Sequence, residues 1–227
     1  MKQLALSVHW RAEATFDSFA TGCNAEIVAA LRHPISSPVW LWGGAGSGKT
    51  HLLQAVCEAG ASAAYLPLNR TAALHPAALL GFETCRVLCL DDVDAVAGDV
   101  GWEGALFHLF NEAADLNTRL VFAARAAPRQ LEWRLKDWRS RAAACVVYQL
   151  RELDEAGRVE ALRSRAEQRG LELPQETAEY LLRRMPRDLV SLYGVLDKLD
   201  QASLIAQRRL TIPFIREVLE MLSKTAP

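Results

Sequence analysis

No uninterrupted apolar run reaches the roughly eighteen residues that a membrane-spanning helix needs, so none is expected here. The N-terminal MKQLALSVHWRAE has no continuous apolar core, which argues against a secretory leader and for a cytoplasmic protein. There is no cationic excess either: 26 Lys and Arg stand against 27 Asp and Glu, for a net charge of −1. A protein gripping nucleic acid mainly through phosphates is normally basic, so autonomous DNA binding is disfavoured. The five cysteines (Cys23, Cys57, Cys85, Cys89 and Cys145) are odd in number and scattered. Cys85 and Cys89 flank an apolar run and have no second pair, so buried free thiols in a reducing compartment are expected rather than a metal site or disulfides. The five histidines show no ligand spacing, and no internal repeat or low-complexity segment occurs.

Present instead is a balanced chain of 227 residues, 51% hydrophobic and 23% charged, enough for one substantial core and a smaller appendage. Residues 1–14 read as an extended tail. Asn24 is placed to cap a helix through IVAALR that Pro34 ends. Short apolar runs at 39–42, 63–68, 86–90, 119–124 and 145–150 read as buried strands. They alternate with helical patterns, one of which carries Trp102, Leu106, Phe107, Leu109, Phe110 and Ala113 at helical spacing. That alternation predicts a parallel sheet covered on both faces. Beyond Leu150 strands stop. Asp154, Pro174, Pro186 and the Thr211–Pro213 pair are expected to open four successive helices, so a boundary is placed near residue 150.

The segment that carries chemistry is GGAGSGKT, Gly43 to Thr50, between the first strand and a helix that Gly60 closes. In this setting the backbone of Gly44, Ala45, Gly46, Ser47 and Gly48 can turn N–H groups onto phosphate oxygens at a helix N-terminus. Lys49 would neutralise phosphate charge and Thr50 would offer its hydroxyl to Mg²⁺, with His51 following on the helix. RVLCLDD supplies a complement: Asp91, at the end of a buried strand, is placed to hold Mg²⁺ mainly through water, and Asp92 to polarise an attacking water. A nucleotide, ADP or ATP, with Mg²⁺ is the expected ligand.

GGAGSGKTHLLQA, LCLDDVDAVAG and the TFDSF box at 15–19 closely resemble the AAA+ domain of the bacterial initiator DnaA, from Thr15 to about Leu222. PRQL (128–131), LDKLDQASLIAQRRLTIPFIREVL, the short length and QLALSV (3–8) resemble the members of that family that inactivate the initiator. The resemblance implies an α/β fold: a parallel-sheet P-loop NTPase core at 15–150 and a small all-helical lid at 151–227. It does not extend to the initiator's helix-turn-helix domain.

The resemblance also implies specific roles. Arg141 matches the arginine finger that AAA+ proteins insert into a neighbour's nucleotide site, although Arg134 and Arg139 crowd the same polar segment and a surface ion pair is the ordinary fate of each. Arg187 matches a lid arginine that reaches the phosphates; an exposed helix-start arginine is the alternative. Phe16 and Phe19 would wall the adenine pocket or serve the core. Gln3, Leu4, Leu6 and Val8 resemble the peptide that docks on the DNA polymerase sliding clamp, Gln3 filling a polar pocket and the rest an apolar groove. Val8 and Ser7 depart from the strongest form of that peptide. At the end of the fourth strand the family carries a small polar or acidic residue near the γ-phosphate, whereas this chain has Arg125, either paired with Asp91, Asp92 or phosphate or turned outward.

The function implied is that of a clamp-bound regulator that stimulates hydrolysis of DnaA-bound ATP. DnaA and the clamp are its partners, DNA is met only through the clamp, and a homo-oligomer is compatible. A stand-alone ATPase or helicase-loading motor is the competing expectation.

Overall fold

The computed structural model describes residues 14–33, 37–71, 75–185 and 189–225, without the side chains of Val190 and of 222–225. The chain divides into two compact units, one running through Glu152 and the other from Leu153.

In the first unit α1 (Ala25–Arg32) precedes β1 (Val39–Trp42), α2 (Lys49–Ala59), β2 (Ala63–Pro67) and the single turn α3 (Leu68–Thr71). Then follow β3 (Val87–Asp91), α4 (Val100–Asp115), β4 (Arg119–Ala124), α5 (Lys136–Ala143) and β5 (Val146–Gln149). The five strands form one parallel sheet in the order β2-β3-β4-β1-β5. β1 is therefore interior, with Trp42 in register with Ala124 on one side and Gln149 on the other.

Strand residues alternate between two cores, as a pleat with both faces covered requires. Trp40, Leu88, Leu90, Leu120, Phe122 and Ala124 pack on one face with α4 and α5. Val39, Leu41, Cys89, Val121 and Ala123 pack on the other with α1 and α2. On the first face Trp40, Phe110, Phe122, Trp133 and Trp138 form a ring cluster with centroids 5.6–6.4 Å apart. Aromatic contacts of this kind contribute about 0.5–1.5 kcal/mol each beyond burial.

Asn24 does something other than capping. Its side chain makes no bond to the start of α1; instead Nδ2 donates to the Arg151 carbonyl at 2.9 Å and Oδ1 accepts the Arg151 N–H at 3.0 Å. A buried amide offers a donor and an acceptor at once, and the chain leaving β5 presents the matching pair.

The second unit holds α6 (Glu155–Gln168), α7 (Gln175–Arg184), α8 (Leu189–Ala206) and α9 (Ile212–Thr225). Asp154 caps α6 by accepting the Gly157 N–H at 2.8 Å, and Gly170 takes the left-handed turn beyond it at φ 72°. Leu162, Ala166, Leu181, Leu196, Leu199 and Ile215 form its core. All five cysteines are free thiols; Cys57, Cys89 and Cys145 are buried, but Cys23 is exposed and Cys85 half-buried, against the expectation of uniform burial. No helix among the described residues is long and apolar enough to cross a membrane.

Candidate functional site

The site begins where β1 runs out into Gly43–Gly48 and α2 starts at Lys49. Gly46 and Gly48 take φ of 81° and 94°, which a side chain would oppose. A Cβ on Gly48 would also stand 2.6 Å from Phe19 Cε2. Gly44, Ala45 and Gly46 face solvent, while Ser47 is buried and its Oγ has no hydrogen-bond partner among the described residues. Lys49, 8% exposed, donates from Nζ to the carbonyls of Gly43 and Gly44, each at 2.8 Å. Burial, partly offset by the Asp91, Asp92 and Asp94 carboxylates, holds its ammonium below the ordinary lysine value.

The TFDSF box is tied to this loop through His51. Its Nε2 lies 2.9 Å from the Thr15 carbonyl and 3.3 Å from Ser18 Oγ, with the Phe19 ring edge-on at 5.4 Å. Phe16 belongs to the core beside α1, whereas Phe19 packs on the loop itself.

Across from the loop, β3 delivers Asp91. It is 1% exposed, and its Oδ2 accepts the Thr50 hydroxyl at 2.6 Å and the Tyr65 hydroxyl at 2.8 Å. Oδ1 accepts the Asp92 N–H at 3.0 Å. Tyr65, in the middle of β2, was legible only as an apolar strand residue. Burial, then the neighbouring Asp91 charge, raises its phenol above the usual tyrosine range.

The arrangement fits a phosphate-bearing ligand. A buried orphan hydroxyl and an ammonium resting on loop carbonyls are groups that such a ligand can engage, and Thr50 with Asp91 can hold a divalent cation beside it. Among the described residues no cluster of three His, Cys, Asp or Glu side chains could bind a metal by itself.

Asp92 sits at φ 53° in the left-handed region. Burial first, and repulsion from Asp91 and Asp94 second, push its carboxyl above the ordinary value of 3.8. The charged form is thus disfavoured in the fold. This penalty is full above the folded pKa and is relieved as pH falls toward the unfolded value. Asp92→Asn keeps a residue that tolerates the left-handed backbone. It is expected to raise the melting temperature of the ligand-free protein at pH 7 by about 1–3 °C, a gain reduced by solvent screening. The gain should vanish below pH 3.8; calorimetry at both pH values checks the sign.

Arg125 turns outward. Its side chain is 76% exposed, and Nε pairs at 3.8 Å with Asp94, which also accepts the Arg125 N–H at 3.0 Å. Its partner is thus Asp94 rather than Asp91 or Asp92, and β4 ends in Ala124 with no polar side chain.

Arg141 lies on α5, exposed and without a carboxylate partner among the described residues, its guanidinium 5.8 Å from the Phe110 ring centroid. The structure does not bring it to Gly43–Thr50. α5 feeds the amino end of β5, where Val146 is in register with Val39, whereas the loop leaves the carboxyl end of β1 beyond Trp42. In a parallel sheet these are opposite edges, about 13 Å of strand apart. Arg187 and the tail residues Gln3, Leu4, Leu6 and Val8 lie outside the described residues.

A buried acid also went unread. Glu103 is fully buried on α4, and its carboxylate accepts the N–H groups of Gly98, Arg134 and Leu135. The available signal was an acid three residues before Leu106 and seven before Phe110, on an otherwise apolar helix stripe.

Comparison with known proteins places this geometry. Domain III of the Thermotoga maritima replication initiation protein DnaA superposes with a TM-score of 0.76 at 24% identity, covering 94% of this chain and 98% of that one. AMPPCP-bound DnaA from Aquifex aeolicus gives 0.68 at 22% identity, covering 86% and 74%. A Thermotoga maritima RuvB gives 0.70 at 17% identity, covering 92% and 72%. The chain thus shares the fold of these DnaA and RuvB structures, a five-stranded parallel sheet followed by a helical C-terminal unit. Residues 146–219 match the family described as Hda, lid domain, so the C-terminal helical unit is similar to that lid.

Proposed function

We propose that this chain is a sliding-clamp-bound regulator that stimulates hydrolysis of ATP held by DnaA, leaving the ADP form of the initiator and preventing re-initiation of replication. The observation that carries the reading is Arg141, exposed, unpaired among the described residues and at the opposite edge of the sheet from the chain's own phosphate loop. A guanidinium so placed is out of reach of the chain's own phosphate loop and open to a neighbour's nucleotide. The Hda-type lid supports a regulator rather than an initiator.

In this reading Gly44–Thr50, His51 and Arg187 serve ADP, and Thr50 and Asp91 would hold Mg²⁺, mainly through water. Nucleotide binding by relatives supports this, since DnaA has been seen with AMPPCP. Gln3, Leu4, Leu6 and Val8 anchor the chain to the clamp. Gln3→Ala combined with Leu6→Ala is expected to abolish clamp pull-down and leave the circular dichroism and ADP affinity unchanged. Retained pull-down would discard the tail motif.

A stand-alone ATPase is the second reading, favoured by the raised Asp92 carboxyl, which suits proton acceptance. The lack of a polar group at the end of β4 opposes it. ATP turnover by the chain alone, by DnaA alone, and by both with DNA-loaded clamp separates the two. The regulator reading expects rapid hydrolysis only in the complete mixture.

A further inference from the structure

We infer that Glu103 is a positioning residue for Arg141, setting the start of the helix that presents the finger. The inference rests on the regulator reading above. It begins from a carboxylate that is fully buried yet has no cationic partner among the described residues. Burying such a charge is costly unless hydrogen bonds replace its water. Here backbone N–H groups do so: Oε1 accepts from Gly98 at 2.8 Å, and Oε2 accepts from Arg134 at 2.9 Å and Leu135 at 2.6 Å.

Those amides are not arbitrary. Leu135 is the N-cap position of α5, and an apolar side chain gives that helix no cap of its own. In a capping box the N-cap N–H is met by a Glu or Gln inside the same helix, three residues on. In α5 that position is Trp138, which is wholly buried in the ring cluster. Glu103 supplies the missing acceptor from a neighbouring helix.

The same neighbour supports the other end. Phe110 lies seven residues after Glu103, on the same face of α4, and its ring stands beneath the Arg141 guanidinium at 5.8 Å. α4 therefore holds α5 at two places, the carboxylate at its N-cap and the ring under its finger. Arg141 lies six residues beyond Leu135, about 9 Å along the helix. A small tilt at the anchored end becomes a displacement at the guanidinium, and about 1 Å of misplacement can cost on the order of 10²-fold in rate.

Glu103→Gln tests this. The glutamine amide keeps one accepting oxygen but turns an NH₂ donor toward backbone donors, so the anchor loosens while volume is kept. The expected result is a tenfold to hundredfold fall in the maximal rate of DnaA-bound ATP hydrolysis at saturating chain. The half-saturating concentration and the ADP affinity should change less than threefold, and hydrogen exchange at Arg134 and Leu135 should quicken. A merely structural role would lower thermal stability without this split between maximal rate and half-saturation. If the variant does not fold, Leu135→Pro removes one of the donors at a residue whose φ of −85° is near proline's range, and the rate readouts with exchange at Arg134 decide. Arg141→Ala is run in parallel. If that variant stimulates normally, the finger assignment fails. If it is inactive while Glu103→Gln exchanges faster yet stimulates within twofold of the parent, the positioning inference is overturned.

Discussion

Replacing Arg141 by alanine is expected to remove stimulation of DnaA-bound ATP hydrolysis by a factor of about 10³ or more, while clamp capture and ADP binding persist. The magnitude follows from what a guanidinium does beside a transferring phosphoryl group: it neutralises charge that develops only in the transition state. The selectivity follows from position. Arg141 makes no ion pair among the described residues and stands over the Phe110 ring, so its removal leaves no buried charge orphaned. It sits at the far edge of the sheet from Lys49 and Thr50, so the chain's own ligand should not sense it. Arg141→Lys should recover little, because a lysine lacks the planar fork. Initial rates of phosphate release with graded amounts of each variant check the claim. Unchanged stimulation by Arg141→Ala would reject the assignment and move attention to Arg134 and Arg139 on the same exposed segment.

The second large effect is expected at the phosphate loop. Lys49→Ala should weaken ADP binding by at least about 100-fold, equivalent to roughly 2.7 kcal/mol. The ammonium is nearly enclosed and rests on the Gly43 and Gly44 carbonyls, which are weaker partners than phosphate oxygens. A bound phosphate would replace them and recover part of the cost of burial that now lowers the Lys49 pKa. The ADP-dependent rise in melting temperature should therefore vanish, since a ligand stabilises only the state that binds it. The ligand-free variant should melt close to the parent, having lost two hydrogen bonds and one poorly solvated charge together. Isothermal titration calorimetry and thermal melts with and without ADP measure both. An affinity loss below tenfold would mean that the phosphates are not seated on Lys49.

The two predictions draw on different levels of legibility. Lys49, Thr50 and Asp91 were readable because phosphate-loop chemistry is local: glycines, a lysine and a strand-end carboxylate keep a fixed order along the chain. The strands were readable because Leu88 to Leu90 and Leu120 to Ala124 are apolar on both faces of the pleat. Their order in the sheet was not, since parallel pairing is set by crossovers and leaves no short-range pattern. Asn24 misled for a related reason. Its amide is as suited to a helix start as to the Arg151 backbone, and only the fold brings Arg151 near.

α5 was hidden because half of KDWRSRAA is charged and only Trp138 and Ala142 are buried, too few to make a periodic stripe. Tyr65 and Glu103 escaped for opposite reasons. The tyrosine looked like an ordinary strand residue, its hydroxyl finding Asp91 only across the sheet. The glutamate gave no cue to its partners, two of which are amides more than thirty residues further along the chain. Arg125 was legible as a departure but not as an outcome, because its partner Asp94 sits in the turn after β3.

Whose nucleotide is hydrolysed separates a regulator from an ATPase. DnaA is loaded with γ-labelled ATP and freed of excess, and the chain is loaded with unlabelled ADP and placed on DNA-bound clamp; phosphate release is followed after mixing. The regulator reading predicts rapid release that stops near one phosphate per DnaA, with the chain's ADP unexchanged. Labelled phosphate appearing at the same rate with Arg141→Ala, or sustained turnover by the chain alone when given labelled ATP, would contradict it.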